Sequence, residues 1–204
     1  MQTKHQLEKF ISHLQKQTSL QTYQALKLLA TEIPLHLPPA QNNLTPAAVL
    51  VPFILHEQNP SVLLTVRTSH LNHHAGQISF PGGKHGINEE AITCALRETK
   101  EEVGLNQVQV ITNLGQWPSY SGYLIEPIVG LIHPPFKLAP NPHEVEEVFE
   151  LPLSIAFDTT QYQRVNKKTP IAHHYFEVHY QNKRVWGFTA SLLLLLATYA
   201  KTLA

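Results

Sequence analysis

Apolar residues recur at helical spacing in two stretches at the start of the chain. The positions in the first stretch are Leu7, Phe10, Ile11 and Leu14. Intervals of three and four predict an amphipathic helix. A second helical pattern follows over roughly residues 20–31, and prolines at positions 34, 38 and 39 end it. We expect residues 1–40 to form a helical extension that packs against the main domain or an interface, or that covers a substrate as a lid.

Short apolar runs, typical of strands, then replace the helical pattern. The predicted strands are 47–55, 61–68, 108–114, 124–133 and the alternating run HHYFEVHY at 173–180. The last apolar segment, WGFTASLLLLLATYA at 186–200, is shorter than the ~20 residues that a helix needs to span a bilayer. We therefore predict a buried closing helix, with Thr189 or Ser191 capping its first turn.

A glycine-led loop runs into a carboxylate-rich helix at residues 83–105, GKHGINEEAITCALRETKEEVGL. Because successive helical positions are about 100° apart, Glu98, Glu101 and Glu102 share one side of the helix. The apolar stripe on another side consists of Ile92, Ala95, Leu96, Thr99 and Val103. We predict that this stripe is buried and that it fixes the rotation of the helix.

Three carboxylates at one point raise one another's pKa unless a cation lies among them. Hard oxygen ligands suit Mg²⁺ or Mn²⁺, which also bind the phosphate oxygens of a substrate. The alternative interpretation is a solvated acidic face on a surface helix. The order of the residues favours the metal site, because it matches a longer pattern.

That pattern is G-x5-E-x7-R-E-U-x-E-E-x-G-U, where U is a bulky apolar residue. The residues that match it are Gly83, Glu89, Arg97, Glu98, Glu101, Glu102, Gly104 and Leu105. Thr99 stands at the first U position. The segment resembles the Nudix box. The resemblance implies an α/β fold, a mixed β-sheet between helices in an α/β/α sandwich, and we assign this domain to residues 41–204.

The same resemblance implies hydrolysis of a nucleoside diphosphate linked to another group, with divalent cations as cofactors. Glu98, Glu101 and Glu102 would hold Mg²⁺ or Mn²⁺, together with the backbone carbonyl of Gly82. Arg97 would orient the glutamates through a salt bridge. Glu89 would stabilise the loop and the start of the helix.

A carboxylate is also expected to accept the proton of the attacking water. Glu98 is one candidate. The other is a distal glutamate in the segment HEVEEVFELPL, where Glu144 ranks ahead of Glu146 and Glu147. The alternative for this segment is an acidic, solvated start of a strand.

The stretch before the Nudix box makes the resemblance more specific, because it is similar to one subfamily. Leu-Leu-Thr-Val-Arg at 63–67, Gly76 and Phe-Pro-Gly-Gly at 80–83 are similar to the signature of the coenzyme A pyrophosphatase subfamily. The Trp-Gly-Phe-Thr-Ala run at 186–190 also resembles the end of that subfamily. Two residues depart from its pattern: Asn72 stands where Arg is usual, and Gly86 where Asp is common.

The candidate substrate-binding residues in this stretch are Arg67, Gly76, Phe80 and Gly83. An arginine can bind a phosphate through two hydrogen bonds, although pairing of Arg67 with a nearby carboxylate is an equal alternative. The implied substrate is coenzyme A or acyl-coenzyme A. The alternatives are ADP-ribose, a dinucleoside polyphosphate or an oxidised nucleotide, and, in a different class, a non-catalytic sensor that binds a nucleotide.

The charge balance limits the partners that we expect. Lys and Arg together number 15, as do Asp and Glu, so the chain has no global basic field of the kind that attracts long nucleic acids. We expect a small nucleotide substrate, no membrane association, and a location in the cytoplasm, since the start of the chain lacks the apolar run of a signal peptide. A homodimer stays open. The single cysteine, Cys94, excludes an intrachain disulfide.

The histidine-rich segment at 70–74 has three interpretations. In the first, the imidazoles at positions 70, 73 and 74 bind a transition metal, which suits their chemistry. In the second, one of them contacts a phosphate. In the third, the loop is simply solvated. Neighbouring imidazoles do not converge easily on one ion, so the metal site is the least favoured of the three.

Overall fold

A computed structural model describes residues 3–33, 35, 38, 43–69, 76–167 and 173–203. The helices are α1 (Lys4–Lys16), α2 (Ser19–Glu32), α3 (Ala91–Val103), α4 (Leu153–Ala156) and α5 (Gly187–Thr202). The strands are β1 (Thr45–Ile54), β2 (Ser61–Arg67), β3 (Ile78–Ser79), β4 (Gly82–Lys84), β5 (Gln109–Asn113), β6 (Trp117–Pro118), β7 (Tyr123–Ile132), β8 (Val145–Pro152), β9 (Gln163–Lys167), β10 (His173–Tyr180) and β11 (Lys183–Trp186). All five predicted strands are confirmed, with ends that differ by a few residues.

Strand β1 is the centre of the main sheet. It runs parallel to β7 along its whole length, from Thr45 opposite Tyr123 to Ile54 opposite Ile132. On its other side it pairs antiparallel with β4 and then with β2. Strands β3 and β8 extend the sheet beyond β2, while β5 and β6 pair with β7. The sheet is therefore mixed, as the resemblance implied.

Helices cover both faces of this sheet. Successive side chains of a strand point to opposite faces, and Leu50 of β1 packs with Ala91 and Ala95 of α3. Its neighbour Val51 packs on the other side, in a cluster that includes Leu7 of α1. The arrangement is an α/β/α sandwich, which confirms the predicted fold class.

The amino-terminal helices share the core of the sheet. All four predicted apolar positions of α1 are buried. Phe10 packs edge-on against Phe53, Phe157 and Tyr199. Each of the two helices begins with a capping box, in which a threonine side chain and a glutamine side chain satisfy backbone groups of the first turn. Their contacts favour packing over a lid, while the division of the chain near residue 40 stays a prediction.

Helix α5 closes the core together with a small antiparallel sheet of β9, β10 and β11. The predicted closing helix is confirmed, but the predicted caps are wrong. The helix begins at Gly187 after Trp186, and no side chain caps it. Thr189 is buried and donates its hydroxyl to the carbonyl of Ile78 instead. Among the helices of the described ranges, none is long and apolar enough to cross a membrane.

Candidate active site

The carboxylate-rich helix α3 packs against β1 with a rotation that differs in part from the predicted one. Ile92 is 40% exposed, so its predicted burial is wrong, whereas Glu102 is only 3% exposed. The helix turns Ala91 and Ala95 toward Leu50, and this face continues along the helix to Glu102. Strand β4, which begins with Gly82 and Gly83, provides the hydrogen-bond donor that lets the carboxylate of Glu102 be buried.

The buried carboxylate of Glu102 has two partners on the sheet. Its Oε2 atom accepts the backbone N–H of Gly82 at 3.2 Å, and its Oε1 atom lies 3.5 Å from a guanidinium nitrogen of Arg67. Burial raises the pKa of Glu102 to about 7, the hydrogen bond from Gly82 and the charge of Arg67 lower it, and the charges of Glu144 and Glu98 raise it further. The neighbouring groups therefore neutralise this carboxylate only in part.

Arg97 organises the remaining carboxylates of the helix. Its Nε and one terminal nitrogen donate to both oxygens of Glu89 at 2.8 and 2.9 Å. Its other terminal nitrogen donates to Glu98 at 2.7 Å and to Glu101 at 3.0 Å. The arginine lies where the sequence placed it, bonded to the glutamates that it was predicted to orient.

Glu89 also holds the loop that leads into α3. Its Oε2 accepts the backbone N–H of Gly86 at 2.7 Å. The hydrogen bonds from Arg97, with that from Gly86, lower the pKa of Glu89 to about 2. Glu89 is therefore ionised near neutral pH and ties the loop to the helix, in agreement with its predicted structural role.

Two glycines let the strand β4 approach both β1 and the helix. A Cβ atom on Gly82, whose φ is +154°, would overlap the backbone of Ala48. A Cβ atom on Gly83 would overlap the carboxylate of Glu98. The absence of a side chain at Gly83 therefore leaves room for the carboxylate of Glu98. Direct substrate contact by Gly83 stays a prediction. The same holds for the carbonyl of Gly82 as a metal ligand.

The other predicted substrate residues lie in different environments. Phe80 is 2% exposed and belongs to the main hydrophobic core, so its side chain serves packing, and its contact with substrate stays a prediction. Gly76 has a φ of +68° and donates its N–H to the carbonyl of Arg67 at 3.0 Å. Gly76 thus closes a turn beside Arg67, whose guanidinium faces Glu102. Asn72 and the three histidines at 70–74 lie outside the described residues.

The distal glutamates separate into two groups. Glu144 directly precedes β8, and its charge raises the pKa of Glu102, which places it on the side of the helix carboxylates. Glu147 instead forms a salt bridge of 2.7 Å with Lys183, and Glu146 is exposed. The rank of Glu144 ahead of Glu146 and Glu147, and its role in the reaction, stay predictions.

The donor set suits a hard divalent cation. Within the described ranges, no three His, Cys, Asp or Glu side chains are already arranged as metal ligands. Arg97 holds Glu98 and Glu101, while Glu102 turns toward Gly82. However, Glu98 and Glu102 are one turn apart on α3, and the carboxylate of Glu102 lacks a full counter-charge. Carboxylate oxygens in this state fit Mg²⁺ or Mn²⁺.

Sequence patterns did not identify Asn141, which joins the distal segment to α3. Its backbone N–H donates to the carbonyl of Glu102 at 2.8 Å, and its side-chain amide donates to Glu144 at 3.2 Å. An isolated asparagine in a proline-rich connection carries no motif. Only the fold brings it to the end of the helix.

Comparison with known proteins agrees with this site. The model of the NUDIX domain matches residues 44–169, and the chain belongs to the Nudix family. A protein of Pectobacterium atrosepticum named as an uncharacterized Nudix hydrolase, NudL, is 40% identical over 85% of this chain and 93% of its own length. A protein of Photorhabdus laumondii with the same name is 40% identical over 80% of this chain and 91% of its own length.

A solved structure supports the fold alone. A MutT/nudix family protein from Enterococcus faecalis matches with a TM-score of 0.50 and 15% identity, over 86% of this chain and 68% of its own. The family assignment makes the protein a Nudix hydrolase, an enzyme of a class that generally uses divalent metal ions. The glutamates of α3 are the residues of this chain that suit such ions.

Proposed function

We propose that this enzyme hydrolyses the pyrophosphate of coenzyme A or acyl-coenzyme A. The observation that carries this proposal is the segment 63–83, with Leu-Leu-Thr-Val-Arg, Gly76 and Phe-Pro-Gly-Gly in the order of the coenzyme A pyrophosphatase signature. Two described residues of this segment support the proposal, because Arg67 and Gly82 both contact Glu102. Substrate recognition and hydrolysis would therefore share one wall of the site.

The reaction breaks one P–O bond of the pyrophosphate. The oxygen of a water molecule bonds to phosphorus while the bridging oxygen leaves with the other phosphate. The products are 3′,5′-ADP and 4′-phosphopantetheine, or its acyl derivative. A bound Mg²⁺ or Mn²⁺ supplies charge neutralisation at the phosphates and lowers the pKa of a coordinated water.

Glu98, Glu101 and Glu102 would hold that cation. Arg97 keeps the first two in fixed orientations through its hydrogen bonds, and this reduces the entropy that is lost when the ligands assemble. Glu102 is held from the sheet by Gly82. The ligands thus come from one helix but are fixed by two different elements.

The proton of the attacking water would move to a carboxylate. Glu98 is one acceptor, since it is 18% exposed and seated on Gly83. Glu144 is the other, and the side-chain amide of Asn141 donates to it. Both carboxylates lie close enough to Glu102 for their charges to raise its pKa.

Arg67 would bind a phosphate of the substrate. Its distance of 3.5 Å to Glu102 is long for a charge-assisted hydrogen bond, and the side chain is 30% exposed. The guanidinium therefore retains donors for an anionic substrate. We further expect the enzyme to act in the cytoplasm on this small nucleotide without a nucleic acid or membrane partner.

A substrate panel tests the proposal. Purified protein with Mg²⁺ or Mn²⁺ is incubated with coenzyme A, acetyl-coenzyme A, ADP-ribose, a dinucleoside polyphosphate and an oxidised nucleotide, and the products are separated by chromatography. We expect 3′,5′-ADP from coenzyme A. Turnover of ADP-ribose without turnover of coenzyme A would refute the proposed substrate.

Replacement of a metal-holding glutamate tests the assignment of residues. The Glu102→Gln protein should lose turnover by at least about 100-fold, because the amide cannot replace the charge of the carboxylate beside a cation. Unchanged turnover would show that these residues do not carry the reaction. Nucleotide binding without cleavage by the wild-type protein would favour the sensor alternative.

A further inference from the structure

The connection between β7 and β8 is anchored on the carboxyl end of α3. The last carbonyls of a helix have no partner within the helix. Here Val103 accepts the backbone N–H of Ala139 at 2.8 Å, and Glu102 accepts that of Asn141 at 2.8 Å. The connection that leads to Glu144 is therefore hydrogen-bonded to the backbone of Glu102, a predicted metal-holding residue.

Gly104 makes this close approach possible. It ends α3 with a left-handed φ of +73°, and its N–H donates to the carbonyl of Lys100. A Cβ atom at this position would lie 2.8 Å from the Cβ of Ala139 and 2.9 Å from its nitrogen. Any side chain here would push the connection away from the helix.

Asn141 then uses its remaining polar groups within the same turn. Its Oδ1 atom accepts the backbone N–H of His143 at 3.1 Å, and its carbonyl accepts those of Glu144 and Val145 at 3.0 and 2.9 Å. Because Oδ1 faces His143, the amide nitrogen Nδ2 faces Glu144, whose Oε1 it meets at 3.2 Å. The asparagine thus fixes both the backbone and the carboxylate of Glu144.

The end of β2 holds the same turn from the opposite side. The backbone N–H of Thr68 donates to the carbonyl of Glu144 at 3.1 Å, and the hydroxyl of Thr68 donates to the carbonyl of His143 at 3.3 Å. Thr68 is buried and follows Arg67 directly. The turn is therefore fixed between the helix that carries Glu102 and the strand that carries Arg67.

We propose that Asn141 is a positioning residue for the reaction, which holds the carboxylate of Glu144 toward Glu102 through its side-chain amide and its backbone bond to α3. This inference rests on the proposed function of Glu144. A carboxylate on a loop samples many rotamers unless a neighbouring group holds it. One hydrogen bond to Nδ2 selects the rotamer that directs the charge into the site.

Two substitutions remove the amide donor of Asn141 but keep an oxygen that can accept the N–H of His143. Asn141→Ser keeps a short side-chain oxygen that can accept the His143 N–H, but it cannot reach Glu144. Asn141→Asp keeps the acceptor at full length and places a second carboxylate against Glu144. Asn106→Ser is the matched control, because Asn106 lies just beyond α3, is exposed, and donates its side-chain amide to the carbonyl of Gly104 rather than to a carboxylate.

The test is a double-mutant cycle on kcat with Glu144→Gln. We expect Asn141→Ser and Asn141→Asp each to lower kcat by about tenfold with KM nearly unchanged, since loss of an orienting partner typically costs about 10- to 100-fold. In the Glu144→Gln background, the further loss from Asn141→Ser should be less than about twofold, because the group that it positions is gone. Asn106→Ser should leave kcat unchanged.

Amide hydrogen exchange supplies a readout that does not depend on turnover. Asn141→Ser should leave exchange at residues 143–145 nearly unchanged, because its hydroxyl oxygen still accepts the N–H of His143 and the backbone bonds of the turn remain, so a fall in kcat then reports the lost amide donor. Glu144→Gln should leave this exchange nearly unchanged, since the backbone bonds of the turn remain. Melting temperature and circular dichroism confirm that each variant is folded.

Three outcomes would overturn the proposal. The first is an equal loss of kcat from Asn141→Ser with and without Glu144→Gln, which would mean that Asn141 acts independently. The second is normal kcat in both Asn141 variants while Glu144→Gln is slow. The third is normal kcat in Glu144→Gln. The cycle uses whichever pyrophosphate substrate the wild type cleaves, so failure of coenzyme A as substrate is distinguishable from failure of Asn141.

Discussion

Arg97 is a residue whose geometry, and not only its charge, matters to the site. It donates to both oxygens of Glu89 through a planar fork and to Glu98 and Glu101 through a third nitrogen. A lysine has the same charge but cannot hold three partners at fixed angles. The glutamates therefore depend on the guanidinium for their mutual orientation.

The Arg97→Lys variant should lower kcat by about 10- to 100-fold, because the glutamates lose a fixed orienting group. Steady-state kinetics checks this, and Arg164→Lys, at an exposed position outside the helix, is the control. Activity equal to that of the wild type would mean that the glutamates are oriented without the arginine. Recovery of the fold is verified by circular dichroism.

Glu102 should make the stability of the metal-free protein depend on pH. Burial raises its pKa from 4.5 to about 7 in the folded state. Between these two values the folded chain keeps the proton that the unfolded chain has lost. The contribution of Glu102 to stability is therefore fully present below pH 4.5 and disappears as the pH rises through about 7.

Urea unfolding in the presence of a chelator measures this effect. Relative to Glu102→Gln, whose amide does not titrate, the wild type should lose about 2.5 kcal/mol of stability between about pH 5 and pH 8. Added Mg²⁺ should restore much of the loss at pH 8 by binding the ionised form. A difference between the two proteins that does not change with pH would contradict the assigned burial effect.

At the level of elements, the end of α3 is a joint between the helix and the connection that carries Glu144. The helix and the connection approach each other closely at Gly104, since a Cβ atom there would lie 2.8 Å from the Cβ of Ala139. Gly122 offers a contrast, because its φ of +83° is similar but a Cβ atom would meet nothing within 4 Å. A comparison of substitutions at the two glycines therefore separates the cost of backbone strain from the cost of steric contact.

Gly104→Ala should therefore be the more harmful of two matched substitutions. Each alanine costs roughly 1 kcal/mol for a left-handed conformation, and Gly104→Ala should cost at least about 1 kcal/mol more through contact with Ala139. Only Gly104→Ala should also lower kcat, by displacing Glu144. Urea unfolding and kinetics check both statements, and equal effects of the two variants would show that the contact is relieved without consequence.

Four of the eight strands of the main sheet were predictable from the sequence, because each of the four has a local signal. Apolar runs and turn residues predicted β1, β2, β5 and β7, and helical spacing predicted α1. The rotation of α3 was predicted only in part. Its sequence could not show that Gly82 would supply a backbone donor to Glu102, and this donor is what lets a glutamate occupy a buried position while Ile92 is exposed.

Contacts between distant segments were the main features that the sequence could not predict. Phe80 belongs to a family signature, but its side chain fills the core. Asn141 has no motif, since its role arises from a helix end almost forty residues earlier in the chain. Thr189 was a plausible cap, yet the fold offers it the carbonyl of Ile78. Each of these outcomes depends on which segments become neighbours.

For the whole molecule, the amino-terminal helices are part of the core. Phe10 is 3% exposed and contacts the rings of Phe53, Phe157 and Tyr199. Leu20 of α2 is 62% exposed, and it provides a surface control on the same extension.

Phe10→Ala should destabilise the protein by about 3–5 kcal/mol, because it removes a buried ring from a core that cannot fully collapse around the gap. Leu20→Ala should change stability by less than about 0.5 kcal/mol. Chemical denaturation checks both values. A stable Phe10→Ala protein with impaired turnover would instead support the lid interpretation of the extension.

The contact between α1 and α5 also constrains how the protein can be made. His13 and Gln17 both bond to the hydroxyl of Tyr199, and Phe10 packs on its ring. A ribosome synthesises the first helix long before the last one, at about 5–20 residues per second. During that interval the apolar face of α1 lacks its contact with Tyr199, so the final core can form only after the closing helix has left the exit tunnel.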